Sequence, residues 1–295
     1  MPKLILHSDD FGLHKAINHA ILEAAEKGVL TSASLMVNGM AAKEAIAGAL
    51  RHPSLGVGIH LNILRGTPLS DPAEIPGLVS KNGRFLNSAS QLLARSALGK
   101  ISPHHVYLEY RRQVLYMMDH GLRPTHFDGE KHTHLLLPEA VQAVRQLSSE
   151  FGIRKVRLIN ETGTTRMLAG IPMKGSRMQR LKLAILEHRS EAARKTWSEL
   201  RWPDYFFGVR ISGQIAFPDT LDVLRAMFAL QAPGTIEWMF HPGYPFDARQ
   251  PGFRCEFGDF FLDESRENEL RFLLSDEAVQ IIREHRGQLI SYREF

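Results

Sequence analysis

Short apolar runs alternate along this chain with longer stretches of helical period. Leu4–Leu6 reads as a strand, and Ala16-Ile17, Ala20-Ile21 and Ala24-Ala25 then recur at helical spacing until Gly28. Ser34–Val37 is a second strand, followed by an Ala-rich helix from Ala41 to Leu50 that His52-Pro53 closes. Leu55–Leu61 is a third strand. From Arg65 to Phe85 the chain is punctuated by Pro and Gly, as in a long functional loop. Helices are expected over Pro103–His120 and Pro138–Phe151. Further strands are expected at Thr125–Phe127, Val156–Ile159, Val209–Ile211, Ile236–Phe240 and Leu289–Ser291. Strands separated by helices imply βαβ units and a parallel sheet. Seven or eight of them predict an α/β fold of the distorted (β/α) barrel type, formed as a single catalytic domain over residues 1–295.

In such a barrel the catalytic groups lie at the C-terminal ends of the strands, so the polar residues just after each apolar run become the candidates. They are Asp9 and Asp10, His60 and Asn62, the segment from His126 to His134, and His241 before Pro242-Gly243. Adjacent carboxylates repel, so a buried Asp9-Asp10 pair needs a cation or strong donors. One carboxylate on a metal and the other acting as general base satisfies that need; capping the helix that begins near His14 is the structural alternative. His60 sits inside an apolar run, either as a satisfied core histidine or as a ligand. If the chain is extended through Thr125–His134, then His126, Asp128, Glu130, His132 and His134 share one side. Five such groups exceed one metal's needs, so some must orient ligands or contact substrate. His241 suits a general acid, or a turn histidine with a structural hydrogen bond.

Composition narrows the chemistry. The 295 residues include one cysteine, Cys255, which excludes an intramolecular disulfide and a thiolate zinc site. Any metal must therefore rest on Asp, Glu and His. No apolar run reaches the length of a membrane span, and the N-terminus meets Asp9-Asp10 without a signal-like segment, so a cytoplasmic location is expected. The net charge is only +4, yet Lys174–Arg201 alone carries eight cations against three acids, with apolar residues on one side. That pattern fits a solvated barrel helix or a basic amphipathic helix at an anionic membrane surface. Aromatics do not interleave with these charges, which argues against nucleic acid.

Five motifs occur in order: Ser8-Asp9-Asp10-Phe11-Gly12-Leu13, Thr31–Gly39, Gly58-Ile59-His60-Leu61, Pro124–Asp128 through His132 and His134, and Phe240-His241-Pro242-Gly243. Together they resemble the YdjC/ChbG family of carbohydrate deacetylases. The resemblance implies a distorted (β/α) barrel with one divalent metal ion, Mg²⁺ or Zn²⁺, held by Asp10, His60 and a third residue. At that third position the family shows His and this chain has Glu130, a side chain that also binds such ions through oxygen. The Val37–Ala42 stretch and the loop from Gly66 to Val79 resemble a hopanoid-associated subgroup, which implies an amino-sugar on a lipid carrier.

The resemblance thus implies a metal-dependent amidohydrolase that removes acetyl from an N-acetylated amino-sugar, oligosaccharide or lipid-linked. Asp9 is the base, His241 the acid, and Asn62, His126, Asp128, His132 and His134 contact substrate or orient ligands. A metal-dependent phosphoesterase and a non-catalytic sugar-binding relative are the alternatives. The partners this admits are the sugar, a peripherally contacted membrane and a second copy of the chain in a homodimer.

Overall fold

Seven parallel strands form one curled sheet in the computed structural model, which describes residues 3–168, 177–213, 217, 219–229, 234–246 and 259–295. In chain order they are β1 (Lys3–Phe11), β2 (Ser32–Leu35), β3 (Gly56–Leu61), β4 (Phe127–Gly129), β5 (Tyr205–Phe207), β6 (Thr235–Phe240) and β7 (Gln288–Leu289). The spatial order is β4-β3-β2-β1-β6-β5, and β7 pairs with β1. Leu4, Ile5 and Leu6 of the central strand are fully buried. A continuous apolar run is what a parallel strand covered on both faces requires.

Helices surround the sheet: α1 (Lys15–Lys27), α2 (Ala42–Arg51), α3 (Ala89–Ala97), α4 (Pro103–Asp119), α5 (Thr133–Leu136) and α6 (Pro138–Phe151) come first. Then follow α7 (Glu161–Met167), α8 (Arg177–Thr196), α9 (Asp219–Ala229), α10 (Ser265–Leu274) and α11 (Asp276–Glu284). Of the first six, α1, α2, α4 and α6 pack where the helical periods place them, whereas α3 and α5 fall where the sequence pattern marked no helix. In α1, for example, Ile17, Ala20, Ile21 and Ala24 form the buried stripe.

The open side of the curl lies between β4 and β5, and residues 154–157 cross it. Val156 bridges Phe127, and Lys155 bridges Arg201, just ahead of β5. The result is a distorted half-barrel. Two expected strands are altered by side chains that take their backbone donors. The Val156–Ile159 strand is reduced to single bridges, because the Ile159 amide goes to Ser190 Oγ at 3.1 Å. Val209–Ile211 is a turn rather than a strand, and the strand falls earlier at Tyr205–Phe207. Here the Glu161 carboxylate accepts the amides of Val209 (2.7 Å) and Arg210 (3.0 Å), leaving neither for a ladder. The expected strands at Thr125–Phe127 and Leu289–Ser291 are displaced to β4 and β7. Most of the Lys174–Arg201 segment is α8, while Lys174 itself lies outside the described residues.

One glycine sets how closely β3 and β4 are backed by side chains. A Cβ at Gly58 would stand 2.4 Å from the His126 ring, which is itself stacked at 3.7 Å on Tyr292. The ring is fully buried and has nowhere to retreat. Gly58→Ala is expected to cost about 1–3 kcal/mol by overpacking, read as a lowered denaturation midpoint; an unchanged midpoint would show that the ring moves freely.

Candidate active site

The polar cluster begins with an irregularity in β1. Neighbouring side chains on a strand point to opposite faces, yet Asp9 and Asp10 line the same cavity. The pairing of β1 with β2 shifts register between Ser8 and Phe11, and Asp10 has φ +67°. This bulge with a left-handed residue turns both carboxylates inward. Neither Asp side chain caps α1; His14 does so by accepting from the Ala16 amide at 3.1 Å.

Asp9 is held by Arg157, a residue the polar-after-strand rule does not select. Arg157 Nη1 lies 2.8 Å from Asp9 Oδ2, and Nη2 lies 2.7 Å from Oδ1. The same guanidinium bonds Glu237 Oε1 at 2.7 Å through Nε and pairs with Asp128 Oδ2 at 3.2 Å. Every one of these side chains is essentially buried. Burial alone would raise the Asp9 carboxyl, but Arg157 reverses this and holds it well below the usual carboxylate range. Asp128 is lowered in the same way, against its burial, by Arg157 and His60. Arg157 Nη2 also donates to His7 Nδ1 at 2.7 Å. That same Nδ1 lies 3.1 Å from Asp9 Oδ1, and the His7 Nε2 faces His126 Nε2 at 2.9 Å.

Asp10, His60 and Glu130 form the second group. One donor atom from each lies within 4.8 Å of the others. His60 Nδ1 donates to Asp128 Oδ1 at 2.9 Å, which leaves Nε2 facing Glu130 Oε2 at 3.5 Å. A carboxylate behind one imidazole nitrogen, with the other turned to a cluster of oxygens, is the usual support of a metal-binding histidine. Two further sets are close enough, His7/His126/Asp128 and Asp9/His60/Asp128. Both include residues that Arg157 already neutralises, and of the three sets only Asp10/His60/Glu130 lies wholly in the cavity wall. Two carboxylates and one imidazole fit a divalent ion such as Zn²⁺ or Mg²⁺. Burial would lower the His60 pKa, yet Asp128 and Glu130 more than offset it and the imidazole is raised well above its ordinary value. A metal on Nε2 would take the place of that proton.

Arginines flank this set too. Arg65 Nε binds Glu130 Oε1 at 2.6 Å, and Arg266 Nη1 binds Asp10 Oδ2 at 3.0 Å. Despite burial, Glu130 is brought down to about 2 by His60 and Arg65. The carboxylate that stands where the family resemblance calls for histidine thus carries its own countercharge.

The cavity measures about 490 Å³, within the range of small-molecule sites. Asp9, Asp10, His60, Glu130, His132 and His241 all line it, with Arg65, Lys131 and Lys182 among the cations. His241 follows β6; its Nδ1 is 3.2 Å from Ser212 Oγ, and its Nε2 is 3.9 Å from Asp9 Oδ2. The extended reading of residues 125–134 fails after Gly129. Glu130–His132 is a 3-10 turn with Lys131 and His132 left-handed (φ +48° and +59°), and α5 follows. The five groups therefore do not share one side. Glu130 and His132 reach the cavity. Asp128 supports His60, and His126 packs over Gly58 on the same face of β3 as His60, against His7 and Tyr292. His134 donates to the Arg157 carbonyl at 3.2 Å and stacks near Trp197, with burial lowering its pKa to about 4. Asn62 is buried below the loop that delivers Arg65, accepting from the amides of Leu64 and Arg65.

Arg157 and Glu237 were legible as charges within the apolar runs Val156–Ile159 and Ile236–Phe240. Arg65, in a loop, and Arg266, at a helix start, carry no comparable signal.

Carboxylates and imidazoles gathered at the carboxyl ends of parallel strands place this chain among the (β/α)-barrel enzymes. Its family follows from comparison: the chain belongs to the YdjC-like protein family, whose model matches residues 3–284. It is 29% identical over 293 residues to a carbohydrate deacetylase of Brevibacillus brevis, covering 99% of each chain. It is 33% identical over 167 residues to a chitooligosaccharide deacetylase of Serratia marcescens, 56% of this chain and 63% of that one. A solved Enterococcus faecalis structure, provisionally named for cellobiose-phosphate cleavage, superposes with a TM-score of 0.74 at 22% identity, covering 99% of this chain and 98% of that one. That likeness concerns the fold alone.

Removing Arg157 leaves three buried carboxylates without their cation. Arg157→Met is expected to lose at least about 3 kcal/mol in denaturant unfolding. Arg157→Lys should recover only part of it, because one ammonium cannot replace a planar fork of donors. A Lys variant as stable as the wild type would refute this role.

Proposed function

We propose that this protein is a metal-dependent carbohydrate N-deacetylase that hydrolyses the acetamide of an N-acetylated amino-sugar, working in the cytoplasm with one divalent ion. The observation that carries this reading is the meeting, in one cavity, of the Asp10/His60/Glu130 donor set with Asp9 and His241. The deacetylase names borne by the relatives agree with it.

An ion held by Asp10, His60 and Glu130 would supply Lewis-acid polarisation of the acetamide carbonyl. The chain's own residues do the proton work. Arg157 keeps Asp9 ionised and fixes both of its oxygens, so Asp9 is an oriented acceptor for the proton of the attacking water. As water adds to the carbonyl carbon and the C–N bond breaks, His241 gives a proton to the departing nitrogen. Ser212 and the backbone bond from the His241 amide to Glu269 fix the position of that ring. The products are acetate and the free amino-sugar. His132, whose imidazole burial holds well below its ordinary pKa, stays neutral at the cavity wall and suits contact with the sugar's hydroxyls.

Acetate release from N-acetylated chito-oligosaccharides, with Mg²⁺ or Zn²⁺ added and after chelation, tests the proposal. Wild type should release acetate only with metal. Asp9→Asn should keep the metal and lose turnover by about 10²-fold or more, and His60→Ala should lose both. Normal kcat in Asp9→Asn would remove Asp9 as base. Phosphate release from sugar phosphates, with no acetate from any acetylated sugar, would instead indicate a phosphoesterase.

A further inference from the structure

We infer that α8 is a membrane-docking element that seats the mouth of the cavity on an anionic lipid bilayer. Seven large apolar side chains are exposed among the described residues, and three of them lie on this one helix: Met178 (72% exposed), Leu181 (56%) and Ile185 (45%). They recur at i, i+3 and i+7 and so form one stripe. A different face, formed by Leu183, Leu186, Ser190 and Ala193, packs on the body of the protein. The stripe is therefore apolar surface that the fold of the helix does not use.

The charges around the stripe have one sign. At about 100° per residue, Lys182 and Arg189 run along one edge, and Arg177 and Lys195 along the other. Arg177, Arg189 and Lys195 form no ion pair among the described residues. The acids of the helix point elsewhere: Glu187 accepts from the Thr162 amide and hydroxyl, and Glu191 pairs with Arg194. An apolar stripe edged by cations is the pattern of a helix that lies in the headgroup region. No helix among the described residues is long and apolar enough to cross a membrane, so the contact is peripheral.

Position gives this surface its meaning. Gln179 and Lys182, on the same turns as Met178 and Leu181, line the cavity, as does Phe260, another exposed apolar side chain (39%). A bilayer against α8 would lie beside the cavity opening. A second copy of the chain is the poorer occupant, since pairing two such stripes would set cations against cations. Phosphatidylglycerol headgroups supply the complementary charge. The inference does not depend on the deacetylase reading.

The test is flotation of the full-length protein with vesicles of phosphatidylcholine alone or mixed with phosphatidylglycerol. Wild type should float with the anionic vesicles and not with the neutral ones, and salt should weaken the binding. The double variants Leu181→Glu/Ile185→Glu and Arg177→Ser/Arg189→Ser should each lose about tenfold or more in binding. Circular dichroism and thermal midpoints of both should match wild type, since none of the four residues lines the cavity. Absence of wild-type binding to anionic vesicles overturns the inference, as does undiminished binding by both variants. A dimer that Leu181→Glu/Ile185→Glu dissolves, without vesicle binding by wild type, would assign the stripe to self-association. Acetate release is measured separately, so failure of the catalytic reading and failure of docking give different results.

Discussion

A single guanidinium, buried where β1, β4 and β6 converge, binds Asp9, Asp128 and Glu237 and so decides what each carboxylate can do. Without a cation, three carboxylates in so little space would protonate or push the strands apart. With Arg157 in place, Asp9 is ionised and rigid. Asp128 keeps one oxygen for His60, and Glu237 takes the Tyr292 hydroxyl at 2.6 Å. His7, His126 and Tyr292 continue the packing along the same inner face, over Gly58 of β3. The site is thus part of the barrel interior, and its geometry is as fixed as that of the core.

Three arginines divide the acidic charge among them. Arg157 serves the inner carboxylates, while Arg65 and Arg266 each hold one oxygen of Glu130 and Asp10. This arrangement lets two candidate carboxylate ligands, Asp10 and Glu130, stand side by side where a histidine in place of Glu130 would carry less negative charge. A divalent ion bound there would join a cluster already close to balance, with His60 giving up its proton as the compensating event.

Much of this was legible in the sequence because it followed from local chemistry. Apolar runs ending in Asp, His or Glu marked the strand ends, and Asp9, Asp10, His60, Glu130 and His241 do meet in one cavity. What was not legible depended on contacts distant in sequence. Arg65 meets Glu130 through a loop whose path no periodicity describes, and Arg266 reaches Asp10 from the other end of the chain. The even spacing from His126 to His134 suggested one extended face, but two successive left-handed residues break the period at Lys131. Likewise Val209–Ile211 has a strand's composition and loses its ladder to Glu161. In each case a side chain or a strained backbone overrode a local pattern, and most of these cases adjoin the cavity.

Among the described residues three donor sets could hold an ion here, and the proposed function requires Asp10, His60 and Glu130, in front of Asp9, rather than the sets neutralised by Arg157. The most direct measurement is anomalous diffraction at the zinc edge from crystals of the protein grown with Zn²⁺. One strong peak per chain is expected within bonding distance of Asp10, His60 Nε2 and Glu130, retained in Asp9→Asn and lost in His60→Ala. A peak between His7, His126 and Asp128, or none at the cavity in zinc-saturated crystals, would contradict it.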